Sequence, residues 1–296
     1  MLSPKQVSCV IPYAGAEKYI SEVVGSALSQ GFGEIIIVND GFDAGPLEPF
    51  CSQPTIKIMS NGKSVGCPLA RNVGLKAVSN PYVVLLDHDD VLCPGYLSAI
   101  ISWVEENKLR CAAATLYYIG ESSRRVGSIV SRNPDFFLPS GFFSEISLIA
   151  EAGYFLDSLS DDLLFFDAIR LLTKVTTCPL AKVLYRIHPK AESSLNTVAW
   201  WAFNRMLPLY YDGTLPLARM NAIAREYAAK RVVPSGMENL FASDSSAYVR
   251  LISRNAYACW LNRDLIGFAR YGSHLVFHLS TLLHIFRYKW GRARSK

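Results

Sequence analysis

Four short, mostly apolar runs in the first ninety residues leave this chain few folds to adopt. Val7–Pro12, Glu34–Asn39, Thr55–Met59 and Tyr82–Asp87 read as buried strands, with helix-period segments at Glu17–Gln30 and Pro68–Val78 between them. That β-α-β-α rhythm predicts a mostly parallel sheet with helices on both faces. The strands of such a sheet end on one edge, where open α/β folds bind ligands. Three of the four run out into Pro12-Tyr13, Asn39-Asp40-Gly41 and Asp87-His88-Asp89. Residues distant in sequence are therefore expected to share one site.

The fourth run says most about chemistry. In Pro81-Tyr-Val-Val-Leu-Leu-Asp87-His88-Asp89-Asp90 an apolar strand gives way to three acids within four residues. Carboxylates that close repel unless a cation lies among them. Their position at a strand tip suits a divalent ion that keeps water and also takes phosphate oxygens. Taken alone, a D-x-D is equally a solvated turn in which one Asp caps the helix that opens near Pro94.

At 296 residues, half of them apolar, the chain can bury one large core or two modest ones. Its seven cysteines (9, 51, 67, 93, 111, 178 and 259) are scattered, with no C-x-x-C pair. That argues against a disulfide framework or a zinc site, and for a reducing compartment. Met-Leu-Ser-Pro-Lys-Gln leads straight into the first strand, and no signal peptide is expected there.

Charge is unevenly spread. Residues 1–196 carry 16 basic and 20 acidic side chains, whereas residues 197–296 carry 14 basic and 5 acidic ones together with four of the five tryptophans. A boundary near 190–200 follows, dividing a domain at 1–196 from a helical, basic, aromatic-rich region at 197–296. Within the first part, alternation lapses after a helix at Pro94–Asn107. Cys111–Ile119 and Leu180–His188 read as strands, and Asp161–Leu172 reads as a helix with acids at its start.

Several short motifs stand in a telling order. They are Val-Ser-Cys-Val-Ile-Pro12, Glu34-Ile-Ile-Ile-Val-Asn39-Asp40-Gly41, and Asn61-Gly62 followed by Ala70-Arg71-Asn72-Val-Gly74. Asp87-His88-Asp89-Asp90, Gly153-Tyr-Phe-Leu-Asp157 with Asp161-Asp162, and Tyr185-Arg186-Ile-His188 with Ser193-Ser194 come after them. In that order and spacing, residues 6 to about 194 resemble a family 2 glycosyltransferase. The resemblance implies an α/β GT-A fold, a Rossmann-like, mostly parallel sheet flanked by helices, here with a helical C-terminal extension. It also implies inverting transfer of a sugar from a nucleotide-sugar donor, with Mg²⁺ or Mn²⁺ as cofactor.

By the same resemblance, Pro12, Tyr13, Asp40, Arg71, Asp87 and His88 would line the nucleotide-sugar site. Asp89 would ligate the metal, with His188 as a third ligand or a donor to the diphosphate. Asp40 before Gly41 also suits a turn. Arg71 would contact the nucleotide or tie the sheet edge together through Asp87. Asp162 is expected as general base with Asp161 behind it, since a neighbouring acid can raise its pKa. Acids there would equally complement a helix N-terminus. Departures from the pattern are Ala14 and Gly15 where an aromatic and an Asn are usual, Asn39 for Asp, Phe42 for Ser, Asp161 for Glu, and Leu164 where an acid is common.

Asp264 is the last acid, and Arg270, Arg287, Lys289, Arg292, Arg294 and Lys296 follow it. The intervening stretch from Leu275 to Phe286 is too polar to cross a bilayer, which takes about 20 apolar residues. It suits an interfacial helix with a polybasic end on an anionic, cytoplasmic membrane face, or a helix packed on the catalytic domain. The expected partners are a nucleotide-sugar donor, a glycan or lipid-linked acceptor and the membrane surface. Nucleic acid is not expected, because the basic residues are interleaved with large apolar ones. A catalytically degenerate nucleotide- or glycan-binding scaffold is the alternative, and the intact acids disfavour it. The absence of G-x-G-x-x-G excludes a dehydrogenase fingerprint.

Overall fold

The computed structural model describes residues 2–15, 17–120, 126–130, 137–188 and 197–230, with Val233, Ser235, Met237 and Phe241. The basic tail, including the interfacial helix expected from Leu275 to Phe286, lies outside the described residues. The chain divides into two compact units. Met1–Gly120 and Arg125–Ile187 form the first, and the second begins its main run at His188.

The first unit is built on one sheet of eight strands. These are β1 (Val7–Tyr13), β2 (Glu34–Asn39), β3 (Ile56–Ser60), β4 (Tyr82–Leu85), β5 (Val91–Leu92), β6 (Cys111–Gly120), β7 (Phe142–Glu145) and β8 (Thr177–Ile187). Their spatial order is β3-β2-β1-β4-β7-β6-β8-β5. The run β3-β2-β1-β4 is parallel, with Tyr13 opposite Asn39 and Val10 opposite Leu85. β7 enters antiparallel between β4 and β6. β6 and β8 pair in parallel across a register shift after Ala114.

Five helices cover the sheet: α1 (Glu17–Leu28), α2 (Cys67–Lys76), α3 (Tyr96–Asn107), α4 (Ile146–Glu151) and α5 (Asp161–Leu172). Strand side chains alternate between faces, and two cores result. Cys9, Ile11, Ile35 and Ile37 pack with Val23, Val24 and Ile100 of α1 and α3. Val10, Ile36 and Val38 pack with Leu75, Leu148 and Phe165 of α2, α4 and α5. Both strand faces are buried, which explains the near-continuous apolar runs.

The second unit's described helices are α6 (Thr197–Arg205), α7 (Leu207–Tyr211) and α8 (Leu217–Lys230). Trp201 and Tyr227 join α6 to α8 with ring centroids 5.8 Å apart. Among the described residues, no helix is long and apolar enough to cross a membrane.

Candidate active site

α2 owes its position to a missing side chain. A Cβ on Gly74 would lie 2.5 Å from Cγ1 of Val10 and 3.1 Å from Cγ2 of Val38. A bare backbone there lets the helix rest directly on β1 and β2. Arg71, three residues earlier, is thereby brought to the ends of both β4 and α5. Its Nη2 donates to Asp87 Oδ1 at 2.6 Å and its Nη1 to Asp161 Oδ2 at 2.9 Å. The guanidinium also lies 5.3 Å from the Phe155 ring centroid. Burial works against the charge, but Asp87, Cys67 and Asp161 outweigh it, and the pKa rises well above the ordinary arginine value. Arg71 thus ties the sheet edge together through Asp87. Asn72 anchors the approach to α5 by donating to Phe155 O at 2.8 Å and accepting from Phe155 N at 3.0 Å.

The three acids at the tip of β4 have separate environments. The strand ends at Leu85, two residues short of the expected boundary, and Asp87 N–H donates to the Ser140 hydroxyl at 3.3 Å. Asp90 is wholly buried, with Oδ1 accepting from Arg186 N–H at 2.8 Å and Oδ2 without a partner. Burial, then Asp89, then Asp87 drive its pKa well up, against hydrogen bonds from Ser140 and Arg186. Asp90 thus belongs to the scaffold. Asp89 stays half-buried at the tip.

His88 Nδ1 lies 2.9 Å from Pro12 O. A carbonyl can only accept, so Nδ1 carries the proton, and Nε2 is an acceptor whenever it carries none. Pro12 and Tyr13 have buried side chains, and the Tyr13 hydroxyl is enclosed without a partner. What Tyr13 offers at the strand end is therefore main chain, its carbonyl accepting from Asp40 N–H at 2.9 Å.

Asp40 is buried and saturated. Its carboxylate accepts from Asn61 Nδ2 (2.8 Å), Ser64 Oγ (2.7 Å), Val65 N–H (2.9 Å) and Gly66 N–H (2.9 Å). Burial pushes its pKa up, and these four bonds more than reverse the effect, leaving it below the usual carboxylate value. Asp40 holds the loop that delivers α2. A Cβ on Gly41 would fall 2.4 Å from Ser64 N, so this corner accepts only glycine.

At the start of α5 the paired acids differ. Asp161 is bound to Arg71, whereas Asp162 Oδ1 accepts from Leu163 N–H at 2.7 Å. Burial raises the pKa of Asp162 and the charge of Asp87 adds to it. Leu163 N–H and Arg71 pull the other way without cancelling the rise. His188 follows directly on β8 and belongs to the second unit.

Arg186 was legible only as a letter in a motif. From β8 its Nε donates to Asp89 O at 2.7 Å, and its Nη2 reaches Glu22 Oε2 at 2.5 Å. Its guanidinium lies 4.6 Å from the Tyr19 ring centroid. Its backbone and side chain together clasp the Asp89-Asp90 turn. The readable hint was an arginine one residue before the end of a strand.

The residues at β4 fit a divalent ion completed by its ligand. Asp89, half-buried at the strand tip, is the acid of the three that could hold a cation. Among the described residues no group of three or more His, Cys, Asp or Glu side chains is arranged to hold one. One carboxylate together with diphosphate oxygens and water is the donor set Mg²⁺ favours.

Residues 8–149 match the family model for Glycosyl transferase family 2. An uncharacterised glycosyltransferase of Haemophilus influenzae is 26% identical over 221 residues, 64% of this chain and 68% of that protein. A minor teichoic acid biosynthesis protein of Bacillus subtilis, GgaB, is 27% identical over 34% of this chain, a span that is only 12% of its own length. Among solved structures, S. aureus TarS 1-349 in complex with UDP-GlcNAc superposes with a TM-score of 0.58 at 15% identity, covering 92% of each chain. At that identity the likeness is one of fold, and the fold is GT-A. Residues 8–149 thus carry a glycosyltransferase family 2 domain.

Proposed function

We propose that this protein is an inverting glycosyltransferase that moves a sugar from a nucleoside-diphosphate sugar to an alcohol. The observation that carries the proposal is the Arg71 bridge. One buried guanidinium lies within hydrogen-bond distance of Asp87 and Asp161, which supports a shared site at the β4 tip and the start of α5. Asp89 would hold Mg²⁺ or Mn²⁺ together with the donor diphosphate, and a bound ion there would offset the charge that the leaving group acquires. Asp162 would take the proton from the acceptor hydroxyl as its oxygen bonds to the anomeric carbon, while the bond from that carbon to the diphosphate oxygen breaks. Asp161, held by Arg71, would orient its neighbour. His88 would offer Nε2 to a donor hydroxyl, and Asp40 would act through the loop it holds.

The donor we favour is UDP-linked, a hexose or N-acetylhexosamine, as the family resemblance implies and as the UDP-GlcNAc bound to the fold neighbour encourages. For the acceptor we favour a glycan or lipid-linked glycan, in keeping with the name of the Bacillus relative. We assign residues 1–196 to catalysis. The basic region at 197–296 would attach the enzyme to the cytoplasmic membrane face, the concentration of positive charge there being the support. The deciding experiment is thermal stabilisation by a panel of nucleotide-sugars in Mg²⁺ or Mn²⁺, followed by donor hydrolysis with and without EDTA. Failure of every nucleotide-sugar to raise the melting temperature would remove this reading.

A further inference from the structure

We propose that Phe42 is the platform on which the donor's nucleobase stacks, and that Gly15 provides its seat. The inference rests on the nucleotide-sugar reading and deepens it. Gly15 and Phe42 follow the paired ends of β1 and β2, Tyr13 opposite Asn39, so both lie on the ligand-binding edge of the parallel sheet. A Cβ added to Gly15 would come 2.8 Å from Cδ1 and 3.3 Å from Cε1 of Phe42, which means that the ring packs on the bare α-carbon. The other departures from the family pattern acquire a reason together: Ala14 presents no aromatic ring, and Phe42 supplies one from the neighbouring strand end.

A single exposed phenylalanine is ordinary on a protein surface. This one is fixed as well as exposed. Asn39 Oδ1 accepts from Phe42 N–H at 2.9 Å, and Asn39 Nδ2 donates to Phe42 O at 2.8 Å. Behind it, Gly41 sits against Lys63 and Ser64, in the loop that Asp40 holds with four hydrogen bonds. Its backbone is therefore pinned from two sides and the Cδ1 side of its ring lies against Gly15, yet Phe42 remains 44% exposed. A ring already held in place loses little freedom when a flat ligand covers it.

The spacing agrees. Asp89, at the tip of β4, stands two strands from the end of β2, about 10 Å across the sheet. A nucleoside spans that interval, with its diphosphate toward Asp89 and its base toward Phe42. Stacking is tolerant of base identity because every base has a π-face. Phe42 would thus supply affinity for a nucleobase and leave the choice of base to polar groups.

The test compares a ligand that has a base with one that has none. Titration calorimetry in Mg²⁺ is run with UDP and with inorganic pyrophosphate on the wild type, Phe42→Ser and Phe42→Trp. UDP affinity is expected to fall about ten-fold or more in Phe42→Ser. Phe42→Trp should retain it, and pyrophosphate affinity should be equal in all three. Gly15→Ala, which crowds the ring, should weaken UDP and spare pyrophosphate. Wild-type UDP affinity in Phe42→Ser, or parallel losses for UDP and pyrophosphate, would overturn the platform alone. A wild type that binds no UDP would overturn the donor reading and the platform with it.

Discussion

Nη1 of Arg71 stands 2.9 Å from Oδ2 of Asp161, a residue 90 positions further along the chain. The same guanidinium is 2.6 Å from Asp87, so two acidic segments are held by one cation. Removing it would leave two carboxylates facing each other without compensation. Arg71→Ala is expected to cost about 3 kcal/mol of stability, the scale for breaking a buried pair, and to abolish transfer. Arg71→Lys keeps the charge but cannot span both acids, and should fall between. Urea unfolding with a double-mutant cycle against Asp161→Asn reads the coupling, and a cost under about 0.5 kcal/mol would show the bridge to be idle.

Asp162→Asn should leave nucleotide-sugar binding intact and lower turnover about 100-fold or more. As the proposed base Asp162 would act as carboxylate, so wild-type turnover should fall as pH drops through its pKa. Burial and Asp87 raise that pKa, which places the acidic limb above the usual aspartate range. Near-normal turnover in the variant, or a flat profile down to about pH 4, would move the base elsewhere.

Much of this arrangement could be read before any coordinates. α5 spans Asp161–Leu172 as its apolar period and paired acids suggested, and β2 spans Glu34–Asn39. Such elements are set by local pattern. What escaped depends on partners remote in sequence. β7 is only four residues long, and its pairing with β4 and β6 is a matter of tertiary register. Tyr13 could not be known as enclosed, because a strand-end aromatic reads alike whether it faces core or ligand. The structural role of Asp90 depends on β8, which brings Arg186 N–H to it. The sharing of Arg71 between Asp87 and Asp161 likewise needed α2 seated on the sheet through Gly74.

Asp40→Asn tests the loop-holding role. An amide cannot accept at both ends, so at least one buried N–H of Val65 or Gly66 would be left opposite a donor. The expected cost is about 2 kcal/mol at neutral pH. Asp40's native pKa is lowered, so its contribution is complete above the ordinary aspartate pKa, about pH 4, and fades as pH falls through the native value. The difference between wild type and variant should accordingly shrink in acid, as followed by chemical denaturation across pH. A difference that grows toward low pH would contradict the assignment.

Arg186 makes a separate prediction about the cation. Its Nε holds the Asp89 carbonyl at 2.7 Å, and its backbone N–H holds the Asp90 carboxylate at 2.8 Å. Substitution of the side chain loosens the first contact and spares the second, so the turn should persist with Asp89 less well oriented. Residues that orient a ligand typically contribute about 10–100-fold to metal affinity. Arg186→Ala should therefore need about ten-fold more Mn²⁺ for half-maximal activity, with turnover at saturating Mn²⁺ changed by less than about three-fold. Arg186→Lys should behave like Arg186→Ala if Nε is the group that matters. Glu22→Gln should behave like wild type, because Glu22 touches only the outer end of the guanidinium. A fall in turnover that excess Mn²⁺ does not restore would show that Arg186 shapes the cleft by some route other than Asp89.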